Sequence, residues 1–358
     1  MMKRLFLYLA LLCACFSSCT ENKSESYQII DASKHDFNDW KSFFEIKEIV
    51  PLEQTSSSLV TMASKCKVRG GKIYFADFKL KTIFVFDNKG KFQFEVGKIG
   101  YSKSEYMDFR DFNLDEKNAR LSIMDERSML FYDLNTGKFQ KREKHATPVG
   151  IDYFKYATIG KDKYLMFSID DEFSISEMDE KLKMKGLRKR EGYQMDSERF
   201  FMSKEDLLVL PDYGQFTIDA YRNGKLYPKY KLSFGNEALP AKYVANDYEE
   251  FEKIDGMQKY FKFVSDAMEN DKWLYASVIG PKQTFYHVFY NKKNQNSYVG
   301  ADNEQLGFTL IDMDDTYIYG LVYLDFVKEK SLIYPYVKDY VKNGFGNPLL
   351  VKLQIAKS

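Results

Sequence analysis

One pattern of apolar and polar positions is written twice in the first half of the chain. "KIYFADFKLKTIFVFDNKGKF" (Lys72 to Phe92) opens with a short apolar run ending at Asp77. It continues with a second run, "TIFVFD", turns through Asn88 and Gly90, and resumes at Lys-Phe. "RLSIMDERSMLFYDLNTGKF" (Arg120 to Phe139) repeats the order with Asp125, "MLFYD" and the turn Asn135 to Gly137. Within each run the period is two: Phe84 and Phe86 face one way and Val85 the other, as on a strand. Asn and Gly stand where a tight turn needs positive φ. Asp77 and Asp125 lie 48 positions apart.

A period in the forties, with several short strands per unit, predicts propeller blades. Fainter copies follow at 163–170 with 174–184, at 206–212 with 215–232, and at 272–279 with 284–299. A sixth begins at "TYIYGLV" (Thr316 to Val322) and adds "PLLVKLQI" (Pro348 to Ile355), then runs out of chain before a last strand. The N-terminal side has one to spare, "FFEIKEIVPLE" (Phe43 to Glu53). The expected fold is therefore all-β, a six-bladed β-propeller closed by an N-terminal strand, which removes exposed sheet edges. Helical spacing at Val244–Phe261 and Lys330–Gly344 predicts two small helical insertions, the second interrupted by Pro335. "YQIID" before the first blade reads as a short extra strand.

The start of the chain is different in kind. Lys3 and Arg4 precede an apolar run, Leu5 to Cys13, and Phe16, Ser17 and Ser18 precede Cys19. That is the layout of an export signal, and the run is too short to span a bilayer, which takes about 20 residues. Small residues before a cysteine resemble a bacterial lipobox, which implies cleavage before Cys19 and acylation of its sulfur. Cys15 is the rival site, but polar residues begin only after Cys19. The resulting division is a lipoprotein signal peptide at 1–18, a lipidated tether and N-terminal segment at 19–42, and the propeller at 43–358. Cys13, Cys15 and Cys19 all lie in the leader, so Cys66 has no internal partner for a disulfide and reads as a small buried hydrophobe.

Composition narrows the function mainly by exclusion. Lys and Arg number 53 against 52 Asp and Glu, without the basic excess of a nucleic-acid binder. The local run Lys181 to Arg190 reads as a solvated loop. The wealth of aromatics, 27 Tyr and 30 Phe, suits packing between blades, with a remainder for a binding surface. Trp273 is expected in the core, and Trp40 to pack the N-terminal segment onto the ring. His35, His145 and His287 are scattered without metal-ligand spacing, so no metal or cofactor is expected. Asp77 and Asp125 recur at equivalent blade positions, as turn-forming residues do. The "DMDD" (Asp312 to Asp315) and "DDE" (Asp170 to Glu172) clusters read as turns, the former lacking the glycine and distal Glu of a calcium loop. There is no nucleophile elbow, phosphate loop or dinucleotide fingerprint, and catalytic and ligand-binding residues stay unassigned.

Three stretches together resemble a known family: "KEIVPLEQTSSSLV" (Lys47 to Val60), the two clear repeats, and "DYGQFTIDAYRNGKLYPKYKLSFGNEALP" (Asp212 to Pro240). They are similar to the six-bladed propeller lipoproteins of Bacteroidetes, distant relatives of NHL-repeat propellers. One departure is "GYSKSEY" (Gly100 to Tyr106), where the family often has a Gly-Pro-Gly-Glu-Tyr turn. The resemblance implies fold and compartment, not an activity. The expected function is a lipid-anchored envelope protein with a non-catalytic propeller that binds a peptide, protein or glycan. The alternative is a lyase or hydrolase using axial carboxylates or a metal. Replacing Cys19 by Ser is expected to abolish labelling of the chain by fatty acid and release it from the membrane fraction, while C15S changes neither. Membrane retention of C19S would contradict the anchor.

Overall fold

The computed structural model of the chain describes residues 27–77, 79–144, 152–255 and 259–356. The leader with Cys13, Cys15 and Cys19, and His145, lie outside the described residues. Strand β1 (Gln28–Asp31), helix α1 (Trp40–Phe43) and strand β2 (Phe44–Pro51) precede the first blade. Blade 1 holds β3 (Ala63–Arg69), β4 (Lys72–Asp77), β5 (Ile83–Asp87) and β6 (Phe92–Val96). Blade 2 holds β7 (Asp111–Asp115), β8 (Arg120–Asp125), β9 (Ser128–Asp133) and β10 (Phe139–Lys144). Blade 3 holds β11 (Tyr153–Gly160), β12 (Lys163–Ser168), β13 (Phe173–Met178) and β14 (Met184–Lys189). Blade 4 holds β15 (Phe200–Met202), β16 (Leu207–Val209), β17 (Thr217–Arg222) and β18 (Lys225–Ser233), followed by helix α2 (Tyr248–Asp255). Blade 5 holds β19 (Phe263–Glu269), β20 (Trp273–Ile279), β21 (Phe285–Asn291) and β22 (Ser297–Ala301). Blade 6 holds β23 (Thr309–Met313) and β24 (Ile318–Val322), then, after helix α3 (Tyr334–Lys342), β25 (Leu349–Ile355).

Each blade is an antiparallel meander, and the ring closes where the sequence places it: β2 pairs with β25 as the outermost strand of blade 6. The join is reinforced by Asn347, whose Nδ2 donates to the carbonyls of Glu53 and Ser58 and whose Oδ1 accepts from the N–H of Val60. The early segment is also docked. β1 runs parallel to β18 as a fifth strand of blade 4. Trp40 is fully buried, its Nε1 donating to Ala301 O at 2.9 Å, with its ring against Phe37, Phe43 and His287.

The core lies between neighbouring sheets. Phe84 and Phe86 pack towards blade 6 with Tyr319 and Leu321, and Val85 towards blade 2 with Phe112 and Ile123, as the period of two predicts. Cys66 is buried in the first of these layers, and burial pushes its thiol well up. Trp273 is likewise in the core. Asp77 and Asp125 are turn residues: Asp77 Oδ1 accepts from the N–H groups of Lys79 and Leu80, both at 2.8 Å, and Asp125 accepts from those of Asp108 and Glu126.

Two expectations are corrected. The basic run Lys181 to Arg190 is not a loop, since Met184–Lys189 forms β14, the outer strand of blade 3. An edge strand tolerates charge, and Arg188 spends its own on Asp219 and the carbonyl of Leu210. Pro335 does not interrupt α3; it occupies the first turn, where no intrahelical N–H is needed. Trp40→Ala is expected to cost about 3–5 kcal/mol in urea unfolding, the usual range for emptying a large aromatic site. A loss under about 1 kcal/mol would show that the N-terminal segment is not structural.

Candidate functional site

The innermost strands β3, β7, β11, β15, β19 and β23 line the axis. Four of them are bulged: between Ala63 and Lys65, Tyr153 and Lys155, Val264 and Asp266, and Leu310 and Asp312. A bulge adds a residue and re-aims the next side chain. The residue just past each of these four bulges is ionisable, whereas a second bulge in β11, between Thr158 and Gly160, leads to a glycine. An inner-strand side chain that reaches the axis meets water or another axial group rather than a neighbouring sheet, so charge is tolerated there.

These groups meet. Lys65 Nζ lies 2.9 Å from Asp111 Oδ1 and 3.2 Å from Glu198 Oε2. The other Asp111 oxygen accepts from the N–H of Tyr156 at 3.1 Å, joining blade 1 through blade 2 to blade 3. Asp312 makes the corresponding link from blade 6, accepting from the N–H of Val68 at 2.7 Å and pairing with Arg69. Lys67 reaches towards blade 4, its Nζ 5.2 Å from the centre of the Phe201 ring. Lys65 and Lys67 form a septum with a hollow on either side. The larger, about 490 Å³, is walled by blades 1 to 4 and opens where the first-to-second-strand turns lie, at Lys117 and Lys161. The smaller, about 330 Å³, opens among the interblade connections, between Met62, Thr309 and Tyr323, and contains Glu198 and Asp266.

The electrostatics follow from this crowding. Burial works against the charge of Lys65, but Asp111 and Glu198 outweigh it and hold the ammonium above its usual value. Burial raises Glu198, yet Lys65, Lys67 and Lys155 overcome it and hold the carboxyl down to about 2. Asp111 is pushed up by its burial, with Lys65 opposing and the charge of Glu198 adding to the rise. Asp266 is raised to about 7, chiefly by burial, with Lys67 offsetting only part of the effect. The site thus holds a fixed ion cluster beside one carboxyl that titrates near neutrality.

The residues singled out in the sequence are distributed differently. Asp312 is not part of a solvated turn: it lies within an inner strand that ends at Met313, fully buried, and only the residues after Met313 turn. Asp170 and Asp171 do lie in a turn, their N–H groups bonded to Ser168 Oγ. Neither His35 nor His287 lines an axial hollow. His35 pairs with Glu237 at the rim of blade 5. His287 is buried beside Tyr275, its Nδ1 3.1 Å from the phenol oxygen, and burial depresses it to about 4. Among the described residues no three His, Cys, Asp or Glu side chains stand together as a metal group would. In "GYSKSEY" the retained Glu-Tyr is structural: Glu105 accepts from the N–H of Ser102, and buried Tyr106 donates to the carbonyl of Lys81. The sequence reading missed Lys65, Lys67, Asp111, Glu198 and Asp266. The available signal was the charge set at alternate positions in "ASKCKVR".

Fold and axis together define a six-bladed β-propeller with a charged, divided channel. The chain belongs to the family described as "Domain of unknown function (DUF4934)", whose model matches residues 29–348. Among solved structures it resembles a Bacteroides fragilis chain named as a "putative exported protein", with TM-score 0.74, 16% identity, and 92% of this chain and 100% of that one covered. It also resembles a DUF4221-family member from Bacteroides vulgatus, with TM-score 0.57, 9% identity, and 88% and 100% covered. At these identities the likeness is one of fold. No curated protein matches the chain.

Asp266 gives this electrostatic picture a test. Its folded value of about 7 lies above the ordinary 3.8, so the folded state holds the proton more tightly. The associated stability is present in full below 3.8 and is lost as pH rises through about 7. Asp266→Asn removes that dependence. Its stability relative to the parent, read from urea unfolding, is expected to rise between pH 5 and pH 8 by up to about 2.5 kcal/mol. An equal difference at both pH values would contradict the raised carboxyl.

Proposed function

We propose that the chain is a lipid-anchored envelope protein whose propeller is a non-catalytic binding module, taking a peptide, protein segment or glycan at its axis. The observation that carries the reading is the larger axial hollow. At about 490 Å³ it falls within the range of small-ligand sites, roughly 300–1,000 Å³, and its inner end is the ion-paired septum. Export is supported by the leader, by the lipobox-like approach to Cys19, and by the name of the Bacteroides fragilis structural relative. Kinship with NHL-repeat propellers belongs to the same proposal and draws on the blade repeats.

A second reading, a lyase or hydrolase using axial carboxylates, draws on Asp266 alone. A near-neutral carboxyl beside Lys67 has the property of a general base. Turnover abolished by Asp266→Asn with binding retained would favour it.

The binding reading is tested by a thermal-shift screen of the chain against oligosaccharides, short peptides and divalent metals. A ligand at 100 times its dissociation constant stabilises by about 2.7 kcal/mol. An upward shift with an oligosaccharide or peptide is expected, and a shift with a metal alone would contradict the reading.

A further inference from the structure

The two halves of the channel differ in charge, and the difference specifies a ligand. In the larger hollow the cations are Lys65, Lys67, Arg69, Lys117 and Lys161, and the carboxylates are Asp115 and Glu116. Much of this charge is already matched. Lys65 is held by Asp111 and Glu198, and Arg69 by Asp312. Asp115 accepts from Asn118 N and Nδ2, at 3.1 and 2.7 Å, and faces Arg120 at 3.5 Å. Glu116 acts on Arg69. Three lysines lack a bridging partner: Lys67 at the inner end, whose charge also acts on Glu198 and Asp266 across the septum, and Lys117 and Lys161 at the mouth. None forms an ion pair among the described residues. The walls between them are apolar, formed by Phe112, Leu114, Ile159, Phe200 and Met202.

A surplus of positive charge around an apolar wall is a poor receptor for a neutral molecule and for a bare inorganic anion. A neutral ligand gains nothing from the lysines, and a bare phosphate leaves the apolar wall unused. The one arginine here is committed to Asp312. An organic body carrying carboxylate satisfies both features.

We propose that this hollow binds a small organic carboxylate, of the size of a disaccharide or tripeptide. Its acid group meets Lys67, its body lies against the half-buried Leu114 and Ile159, and Lys117 and Lys161 draw it in from solvent. The two sources of that chemistry are a uronic acid and the free terminus or acidic side chain of a peptide. The inference rests on the reading of the axial hollow as the ligand site, and adds to it the ligand's charge and class.

The test is calorimetric titration of the full-length chain in detergent with paired probes. These are digalacturonic acid and its neutral dimethyl ester, an N-acetylated tripeptide acid and its amide, and inorganic phosphate. In at least one pair the acid is expected to bind about tenfold or more tighter than its neutral twin, a gain of the order of a charge-assisted hydrogen bond. The pair that responds names the source. Lys67→Met and Lys161→Met are each expected to lose several-fold affinity for the acid and to reduce its salt dependence. Lys161 is exposed in a turn, so K161M keeps the test valid if K67M fails to fold. Met202→Trp, which adds bulk at the wall of the hollow, is expected to weaken binding at least several-fold. Equal binding of acid and neutral twin that M202W weakens would overturn the charge inference and leave the hollow as the site. Binding untouched by M202W would overturn both. Binding of phosphate as tight as the acid, or of none of the probes, would overturn the carboxylate class.

Discussion

The pairing of β2 with β25 is the constraint on which the rest of the molecule depends. Seven residue pairs, from Phe44 with Ile355 to Pro51 with Leu349, join strands separated by almost the whole chain. Beyond the leader the only cysteine is Cys66, so no disulfide shares this task. Non-local pairing of this kind carries a loop-closure cost, and the structure offsets it with apolar burial on both sides of the seam. Val50 and Leu350 pack with Phe84 and Phe86 of blade 1, while Phe43 and Phe44 pack with Phe289 of blade 5. Closure completes the last blade with a fourth strand and seats it against the first, leaving only the outer strand of each blade as an edge. It also brings β23 beside β3, and that contact places Asp312 against Val68 and Arg69.

The axis is the one region of the core where charge replaces packing. A buried ion pair is often no more stabilising than an apolar contact, so the Lys65–Asp111–Glu198 cluster is not explained by stability alone. What it does is geometric. Each member sits on a different blade or connection, and together they fix the inner strands of blades 1 to 3 and divide the channel. Lys67 stays outside the cluster as a buried-end cation, and Asp266 stays on the other side as a carboxyl whose charge is costly at neutral pH. The larger hollow therefore carries a surplus of lysines at its floor and mouth, and the smaller one holds Glu198 and Asp266. A ligand at the axis meets two different chemistries depending on the face it enters.

The layout of the fold was readable because its middle strands are regular. "TIFVFD" and "MLFYD" alternate cleanly, and their turns carry the residues that positive φ demands. The closing strand was found from a deficit, a last blade one strand short beside an N-terminal strand without a blade. The inner strands were largely invisible for the reason that makes them functional. Some are short, as in "FFM" and "TLIDM"; four are bulged, which breaks the period of two; and they carry charge where a buried strand is expected to be apolar. Asp312 was absorbed into a run of acidic residues that looks like a turn, and the edge strand β14 into a basic run that looks like a loop. Charge read along a sequence marks solvent, whereas here it also marks the axis. The export signal expected before residue 20 is read from residue order alone and is independent of the blades.

The most direct measurement is the crystal structure of the chain grown with the tightest-binding member of the acid probe set. The account places the ligand in the hollow walled by blades 1 to 4, with its carboxylate within hydrogen-bonding distance of Lys67 Nζ and the Lys65 bridges intact. A ligand found on the interblade face, on the outer strands, or in the hollow with its acid group turned away from the lysines would contradict it.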